Sequence, residues 1–151
     1  MSDTTRWLDE EEMRAWRGFI VGYELLLYRL HRELQDAHGL SLADYEILVR
    51  LSEQPDFRMR MTVLAAEVAS SKSRVSHQVA RLERADLVKR EECANDGRGV
   101  FAVLTDHGYE ILRTAAPTHL RGVREHFVDL LSEPERTTIA KVFDRIATRL
   151  R

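Results

Sequence analysis

The amino-acid sequence predicts a mainly α-helical fold with a small β-hairpin, an α+β arrangement in which a winged helix-turn-helix is flanked by long helices. Two observations carry this prediction. Residues 62–104 combine two short helical patterns, a tight turn and a two-stranded hairpin. On either side, residues 1–40 and 105–151 contain apolar residues at three- and four-residue steps, which is typical of long amphipathic helices.

Residues 62–82 fit two helices that cross closely. Thr62 can cap the first helix, whose apolar residues recur at helical spacing and whose alanines are small enough for a close crossing. Ser70 and Ser71 interrupt this pattern, because serine competes for local backbone groups and favours caps and turns. A second helix is therefore expected to begin near Lys72.

The second helix has two unlike faces. Val75, Val79 and Leu82 are spaced four and three apart and form the face expected to be buried. The opposite face carries hydroxyls, an amide and cations without an acid, groups that can reach base edges and phosphates of duplex DNA. The alternative is an amphipathic helix whose polar face is only solvated. The candidate DNA contacts are Ser71, Lys72, Ser73, Arg74, Ser76, His77, Gln78 and Arg81.

A hairpin is predicted after this helix. Residues 87–93 are compatible with a strand, residues 94–99 are dense in turn formers, and residues 100–104 are a β-branched and aromatic run. Arg98 at the tip could enter a narrow minor groove, where the negative potential attracts cations. The alternative is an ordinary hairpin with a solvated arginine, but a basic helix followed by a hairpin favours DNA as the partner.

These residues resemble the multiple-antibiotic-resistance regulator (MarR) family of bacterial transcription factors. The matching pieces are S-R-V-S-H-Q-V-A-R-L-E at 73–83, D-L-V-K-R at 86–90, D-G-R at 96–98 and L-T at 104–105, in the order and spacing of the family pattern. The resemblance in layout extends over nearly the whole chain. It implies a homodimer that binds double-stranded DNA, with the second helix in the major groove and the hairpin, or wing, in the minor groove.

The family's D-x-R arrangement also implies that Asp96 holds Arg98 through an ion pair, so both belong to the predicted DNA-binding set. Three departures from the family pattern affect this prediction. His77 stands where the family usually has arginine, and Asp86 replaces a common glycine. Glycines flank Arg98 where the family often has a second cation, which predicts a less charged wing tip.

The regions on either side of the predicted DNA-binding segment fit further helices. Asp9 begins a capping-box pattern, and the long helix that it opens is expected to end at Gly39, a residue suited to a left-handed cap. Ser41 opens a second helix that ends at Pro55. Residues 58–61 could add a short strand against the wing.

Two more helices are predicted after the wing. Thr105 is expected to cap a long helix through about Leu131, and Pro117 should kink it. Ser132 and Glu135 form another capping box, which starts a last helix.

The flanking helices carry more apolar surface than a compact DNA-binding segment could cover. We therefore expect residues 1–40 and 105–151 to form a helical dimerisation region around a DNA-binding region at 41–104, all in one continuous domain unit. In the family, two chains share such helices in a two-fold homodimer. The alternative is that the helices pack back within one chain.

Composition agrees with such a regulator. The net charge of −2 does not exclude DNA binding, because the local surface decides and acids cluster at residues 9–12. Cys93 is the single cysteine of the chain, so an intrachain disulfide framework is excluded, and we expect it to be a small packing residue. The sequence has no secretory leader and no apolar run near about 18 residues, which predicts a cytoplasmic protein without a membrane partner.

Other functional classes receive little support. The sequence lacks a nucleophile elbow, a phosphate-binding glycine loop and a catalytic cluster, so we predict no enzyme and no cofactor. Two histidine pairs, His31 with His38 and His119 with His126, are each seven residues apart, but zinc usually needs three or four convergent ligands, and no metal is predicted. A winged-helix adaptor that binds protein instead of DNA is a third class, against which the cationic helix face argues.

An effector is implied by the resemblance, since members of this family often bind small aromatic or phenolic acids between the dimer helices and the DNA-binding lobe. Trp16, Phe19 and Tyr23 lie on one face of the first helix and Tyr45 opens the second, so these four could supply apolar walls and phenol groups. The alternative is plain core packing. The predicted protein is thus a homodimeric regulator, more often a repressor than an activator, on a pseudo-palindromic operator.

Overall fold

The computed structural model describes residues 4–92 and 99–151. It confirms the predicted fold class, because helices dominate and three short strands form one small sheet. The elements, in chain order, are α1 (Glu10–His38), α2 (Leu42–Ser52), β1 (Arg58–Arg60), α3 (Met61–Glu67), α4 (Lys72–Arg84), β2 (Val88–Glu92), β3 (Val100–Leu104), α5 (Asp106–His126), a 3-10 turn (Val128–Leu130) and α6 (Glu133–Leu150).

Most predicted helix ends are confirmed by their caps. The Asp9 carboxylate accepts a hydrogen bond of 2.8 Å from the Glu12 backbone N–H, and the Glu12 carboxylate accepts one of 3.0 Å from the Asp9 backbone N–H, which completes the capping box. Gly39 ends α1 with a φ of 63°, the left-handed conformation that favours glycine. The side chains of Ser41, Ser71, Thr105 and Ser132 cap α2, α4, α5 and α6.

Two predicted boundaries are wrong. Thr62 does not cap α3, because β1 runs directly into the helix and Arg60 occupies the cap position. Helix α5 ends at His126 instead of near Leu131, because the backbone of Phe127 leaves the helical conformation and a 3-10 turn follows. Pro117 lies inside α5, which continues through it.

The wing is an antiparallel sheet with the strand order β1-β3-β2. Strands β2 and β3 pair with Val88 opposite Leu104, and β1 pairs with β3 with Arg58 opposite Val103. The predicted short strand against the wing is therefore confirmed. The guanidinium carbon of Arg58 lies 4.1 Å from the centre of the Phe101 ring, a cation–π contact between neighbouring strands.

One apolar core joins the C-terminal end of α1 to α2, α3, α4, the sheet and α5. Val75 and Val79 are fully buried in it and Leu82 is 2% exposed, so the predicted inner face of α4 is confirmed. Because these three side chains anchor α4, its polar face is turned outwards. We call this part of the molecule, from α2 to β3, the winged lobe.

The other ends of the long helices have no comparable cover. The buried residues of α1, Leu30 and Leu34, lie in its C-terminal half, and α6 has no buried residue. Phe19 of α1 meets Phe143 of α6 at 5.2 Å between ring centres. Large apolar side chains that remain exposed on these two helices are Trp16, Phe19, Val21, Tyr23, Leu25, Tyr28, Val142, Phe143, Ile146 and Leu150.

Candidate nucleic-acid interface

The N-terminal half of α4 forms an exposed polar surface. The Ser71 hydroxyl accepts a hydrogen bond of 3.3 Å from the Arg74 backbone N–H and thereby starts the helix. The first turn of α4 contains no acid, and the exposed N–H groups of a helix start favour anions such as phosphate. We call the outward side chains of this half the reading face; they are Lys72, Ser73, Arg74, His77 and Gln78.

Arg81, one of the candidate DNA contacts, is hydrogen-bonded to Asp44 of α2, although its side chain is 54% exposed. Its Nη2 donates to Oδ1 of Asp44 at 2.5 Å, and its Nε donates to Oδ2 of the same carboxylate at 3.3 Å. The hydrogen bonds and the charge of Asp44 raise the pKa of Arg81 further above its ordinary value. Asp44 lies in the first turn of α2 and is 8% exposed.

Ser76 also has a partner inside the protein. Arg90 of β2 donates from Nη2 to the Ser76 carbonyl oxygen at 2.8 Å, and the same nitrogen lies 3.5 Å from the Ser76 hydroxyl. Glu83, near the end of α4, accepts a hydrogen bond of 3.3 Å from the Arg90 backbone N–H. The wing strand is therefore tied to the flank of α4, and Ser76 contributes to this tie.

Sequence reasoning missed Asp44 and Arg90 because their partners are distant in the chain. Asp44 is 37 residues from Arg81, and Arg90 is 14 residues from Ser76. The local pattern around Asp44 indicated only a helix start. No periodicity or motif pairs an acid of one helix with a cation of another at such separations.

The predicted wing tip lies outside the described residues. This applies to Cys93, to the turn around Gly97, and to the predicted pair of Asp96 and Arg98. The two strands that lead into the tip are described and form the predicted hairpin.

A cavity of about 790 Å³ lies between the winged lobe and the long helices. Helices α1, α2, α4 and α5 all contribute to it, together with the turn that follows α3. Two residues of the reading face, Arg74 and Gln78, lie in its wall. Its other lining residues include Tyr23, Leu27, Tyr28, Leu30, His31, Leu42, Ala43, Glu46, Arg50, Glu67, Val68, His119 and Val123.

The four aromatic residues predicted to bind an effector do not come together in this cavity. Tyr23 alone of the four lines it. Trp16 and Phe19 continue a row along α1, with ring centres 6.0 Å apart, and are not among the lining residues of the cavity. Tyr45 is 4% exposed in the core, where its ring centre lies 4.5 Å from that of His119, so it fits the core-packing alternative.

Two residues of the cavity lining each have a buried side-chain nitrogen without a hydrogen-bond partner in the described part of the chain, Nε of Arg50 and Nδ1 of His119. Burial lowers the pKa of His119, while the nearby charges of Glu46 and Glu33 act in the opposite direction. The cavity lining thus combines aliphatic, aromatic and polar or charged side chains.

The histidine pairs have structural contacts. His38 Nε2 lies 2.8 Å from the Thr118 hydroxyl, and His31 Nδ1 accepts a hydrogen bond of 3.3 Å from the Leu42 backbone N–H. Within residues 4–92 and 99–151, no group of three or more histidine, cysteine or acidic residues could hold a metal ion. Among the helices described, none combines the length and the apolar character that a membrane crossing requires.

Comparison with known proteins identifies the family. The sequence pattern of the MarR family matches residues 38–99. The transcriptional regulator HosA of Escherichia coli O157:H7 is 33% identical over 107 residues, which cover 71% of this chain and 75% of HosA. The chain belongs to the MarR family. It is therefore a transcriptional regulator of that family.

Solved MarR-family structures agree over nearly the whole length of the chain. AbsC from Streptomyces coelicolor is 50% identical, with a TM-score of 0.92, and the match covers 97% of this chain and 99% of AbsC. Sco3205 from the same organism, solved in complex with DNA, is 42% identical with a TM-score of 0.93, and the match covers 96% of this chain and 94% of Sco3205.

Proposed function

We propose that this MarR-family protein is a homodimeric repressor that binds a specific double-stranded DNA sequence and is released from it by a small molecule. The observation that carries the DNA-binding part is the reading face, a cationic, acid-free helix face held outwards by a buried apolar face. The complex of the 42% identical Sco3205 with DNA supports it. We also propose a cytoplasmic location, because the chromosome on which a bacterial regulator acts lies in the cytoplasm.

The proposed contacts divide by chemistry. Arg74 and Gln78 have the donors and acceptors that read base edges in the major groove, whereas Lys72 and the Ser71 end of α4 suit phosphates. Ser73 and His77 stand between them on the same face. Arg98 remains the proposed minor-groove contact of the wing, and the resemblance to the family implies an ion pair between it and Asp96.

The dimer is proposed from the uncovered apolar faces of α1 and α6. In a single chain, the row that includes Trp16, Tyr23 and Phe143 stays largely exposed, and contiguous apolar patches of this kind usually mark an interface. A second copy would cover both helices. Residues 1–40 and 105–151 would then form the dimerisation region, and 41–104 would remain the DNA-binding region.

A two-fold dimer presents two equal reading faces. Its operator is therefore expected to be a pseudo-palindrome whose half-sites lie about one helical turn, or roughly 10 base pairs, apart. A repressor role follows if such an operator overlaps a promoter.

The effector is proposed to occupy the cavity between the winged lobe and the long helices. Its mixed lining of apolar and polar side chains suits a small aromatic acid or phenol. An occupant would release DNA if it bound more tightly to a dimer whose reading faces are wrongly spaced. Trp16, Phe19 and Tyr45 would then act indirectly, whereas Tyr23 would touch the ligand.

The DNA-binding proposal is tested by selecting bound duplexes from a random pool and measuring the affinity of the protein for the most enriched duplex at several salt concentrations. We expect an enriched pseudo-palindrome and an affinity that falls steeply with salt, because phosphate contacts release counterions. Sedimentation at micromolar concentration should give a dimer. If no duplex is enriched, or the affinity is independent of salt, the adaptor function becomes the better account.

The effector proposal has a separate test. Aromatic carboxylates and phenols are screened for thermal stabilisation and for release of the selected duplex. A hit should lose its stabilising effect in an Ala43→Trp protein, because the larger side chain would fill the cavity beside α2. A hit that stabilises this variant equally well would place the ligand elsewhere, and a screen without hits would favour control by protein abundance.

A further inference from the structure

We infer that Arg81 does not contact DNA and instead forms, with Asp44, a positioning pair that sets the orientation of the recognition helix α4. This inference rests on the proposed DNA-binding function. It reassigns a residue whose type and position predict a DNA contact. The pair connects α4, which carries the reading face, to α2, which belongs to the core of the winged lobe.

The geometry of the pair is that of a two-pronged contact. Nη2 and Nε of Arg81 reach the two different oxygen atoms of Asp44, at 2.5 and 3.3 Å. Two parallel hydrogen bonds from a planar guanidinium restrict the direction of the side chain as well as its distance. Lysine could supply the charge at this position but not the fork.

Burial explains why Arg81 should stay where it is. The Asp44 side chain is 11% exposed, whereas the Arg81 side chain is 54% exposed. If Arg81 turned towards a phosphate, the buried carboxylate would lose its charged partner, and an uncompensated buried charge is strongly unfavourable. DNA would have to compete with a contact that the protein already makes at close range.

The pair also has a counterpart on another side of the helix. Arg90 of β2 binds the carbonyl oxygen of Ser76, so α4 is tied to the wing near its middle and to α2 near its C-terminal end. The residues between and before these ties include Arg74 and Gln78. Two ties to different elements limit both rotation and tilt of α4, which decides where these side chains meet the bases.

Asp44→Asn is the decisive variant, because the two roles of Arg81 predict opposite signs. The substitution removes an acid from the winged lobe and weakens its hold on Arg81. A DNA-contacting Arg81 would be freed, and binding would strengthen. A positioning pair would be loosened, and we expect affinity for the selected duplex to fall about tenfold, the size of one lost base contact.

The ratio of the affinity for the selected duplex to the affinity for an unrelated duplex distinguishes a mispositioned α4 from a general loss of electrostatic attraction to DNA. Affinity for an unrelated duplex of the same length should change less than about twofold in Asp44→Asn, because non-specific binding depends mainly on phosphates. Asp56→Asn is the matched control, since it makes the same substitution at a site of the winged lobe whose side chain is 66% exposed. It should leave the ratio unchanged.

Arg81→Lys provides a second, independent test of the positioning role. A phosphate contact tolerates lysine, so the variant would bind both duplexes almost normally if Arg81 met DNA. A positioning role predicts the loss of specific binding seen with Asp44→Asn. The double variant Asp44→Asn with Arg81→Lys should then lose little more than either single variant, because both remove the same contact.

All proteins are compared below their measured unfolding temperatures, and Arg81→Lys decides the question if Asp44→Asn is unfolded. The inference is overturned if Asp44→Asn binds the selected duplex as tightly as the unaltered protein or more tightly. It is also overturned if Arg81→Lys retains normal specificity. If the unaltered protein selects no duplex, the proposed function fails, which is a different result from either of these.

Discussion

His126 of α5 and Glu33 of α1 meet across the crossing of the two long helices, with 2.7 Å between the histidine Nε2 and the carboxylate Oε1. Arg29, one turn before Glu33, donates to the same oxygen at 2.7 Å. Gly122 of α5 lies against this cluster, and a Cβ atom there would overlap the Glu33 carboxylate. The crossing therefore combines close backbone approach with a polar contact of three residues.

Glu33→Gln should lower the free energy of unfolding at pH 7 by up to about 1 kcal/mol, the scale of a partly exposed ion pair. The hydrogen bond from Arg29 is the main cause that lowers the pKa of Glu33; burial opposes it, and His126 adds to the lowering. A carboxylate with a depressed pKa stabilises the fold at neutral pH, and this contribution disappears as pH falls through the folded-state pKa, below the ordinary glutamate value.

Chemical unfolding of both proteins at pH 7 and at about pH 3.5, at one fixed protein concentration, measures this difference. Asp36→Asn removes an acid from an exposed pair on the same helix and should cost less. A stability difference between Glu33→Gln and the unaltered protein that is the same at both pH values would refute the role given to Glu33.

His119 predicts a different pH window. Burial lowers its pKa, so the unfolded chain binds a proton more readily than the folded one, and stability should decrease as pH falls below the ordinary histidine value of about 6.5. His119→Gln should therefore show a smaller loss of stability between pH 7.5 and 5.5. His107→Gln, at an exposed site of the same helix, is the matched control.

Equal losses in His119→Gln and in the unaltered protein over this range would show that His119 does not carry the pH dependence. The measurement is the unfolding midpoint in denaturant at each pH. The slope with denaturant shows whether the same surface is exposed in every case.

Gly108→Ala should destabilise the protein by about 1–3 kcal/mol, the range of overpacked cores. A Cβ atom at this position would overlap the carbonyl oxygen of Leu87 and come within 2.8 Å of Cδ1 of Leu104. The backbone of Leu87 begins the wing and cannot move aside as the end of a side chain can. His107→Ala, at the exposed neighbouring position, should cost much less, and equal effects of the two alanines would contradict the packing argument.

Asp86 has a φ of 64°, in the left-handed region, at the position where the family commonly has glycine. Its carbonyl oxygen accepts a hydrogen bond of 2.7 Å from the Thr105 hydroxyl, which joins the end of α4 to the start of α5. Asp86→Gly should be as stable as the unaltered protein or more stable by up to about 1 kcal/mol, because glycine adopts this conformation without a steric cost.

Among the unaltered protein, Asp86→Gly and Asp86→Val, the valine variant should be the least stable, since a β-branched residue disfavours positive φ. Ala85→Gly is the matched control with the opposite sign, because Ala85 has a φ of −86° and glycine there only adds freedom to the unfolded chain. Urea unfolding gives the order. A valine variant as stable as the glycine variant would mean that the turn has rearranged.

Lys72→Ala and Arg74→Ala should weaken DNA binding in different ways. Loss of a phosphate contact at Lys72 should lower affinity for all duplexes evenly and reduce the salt slope by about 1. Loss of a base contact at Arg74 should cost roughly 1–3 kcal/mol and relax preference at one position of each half-site. Arg32→Ala, an exposed arginine on α1, is the control. An Arg74→Ala protein with an unchanged preference at every base would remove Arg74 from direct readout.

Features that depend on neighbouring residues were predictable from the sequence. The caps at Asp9, Ser71 and Ser132 use a side chain and a backbone N–H three residues away, so their pattern is visible in the chain itself. The inner face of α4 follows from the helical period for the same reason. The cap at Thr62 failed because a paired strand extends to Arg60 and leaves no room for a separate start.

Features that depend on which elements meet were decided by the packing of the whole chain. In residue type and position on α4, Arg81 resembles the other candidate DNA contacts, and only the packing of α2 places the Asp44 carboxylate 2.5 Å from its guanidinium. Tyr45 looked like Tyr23 until the core enclosed it against His119 while Tyr23 stayed at the cavity. A periodic pattern identifies the side of a helix on which a residue lies, but its partner comes from another element, placed there by the combined burial of many apolar side chains.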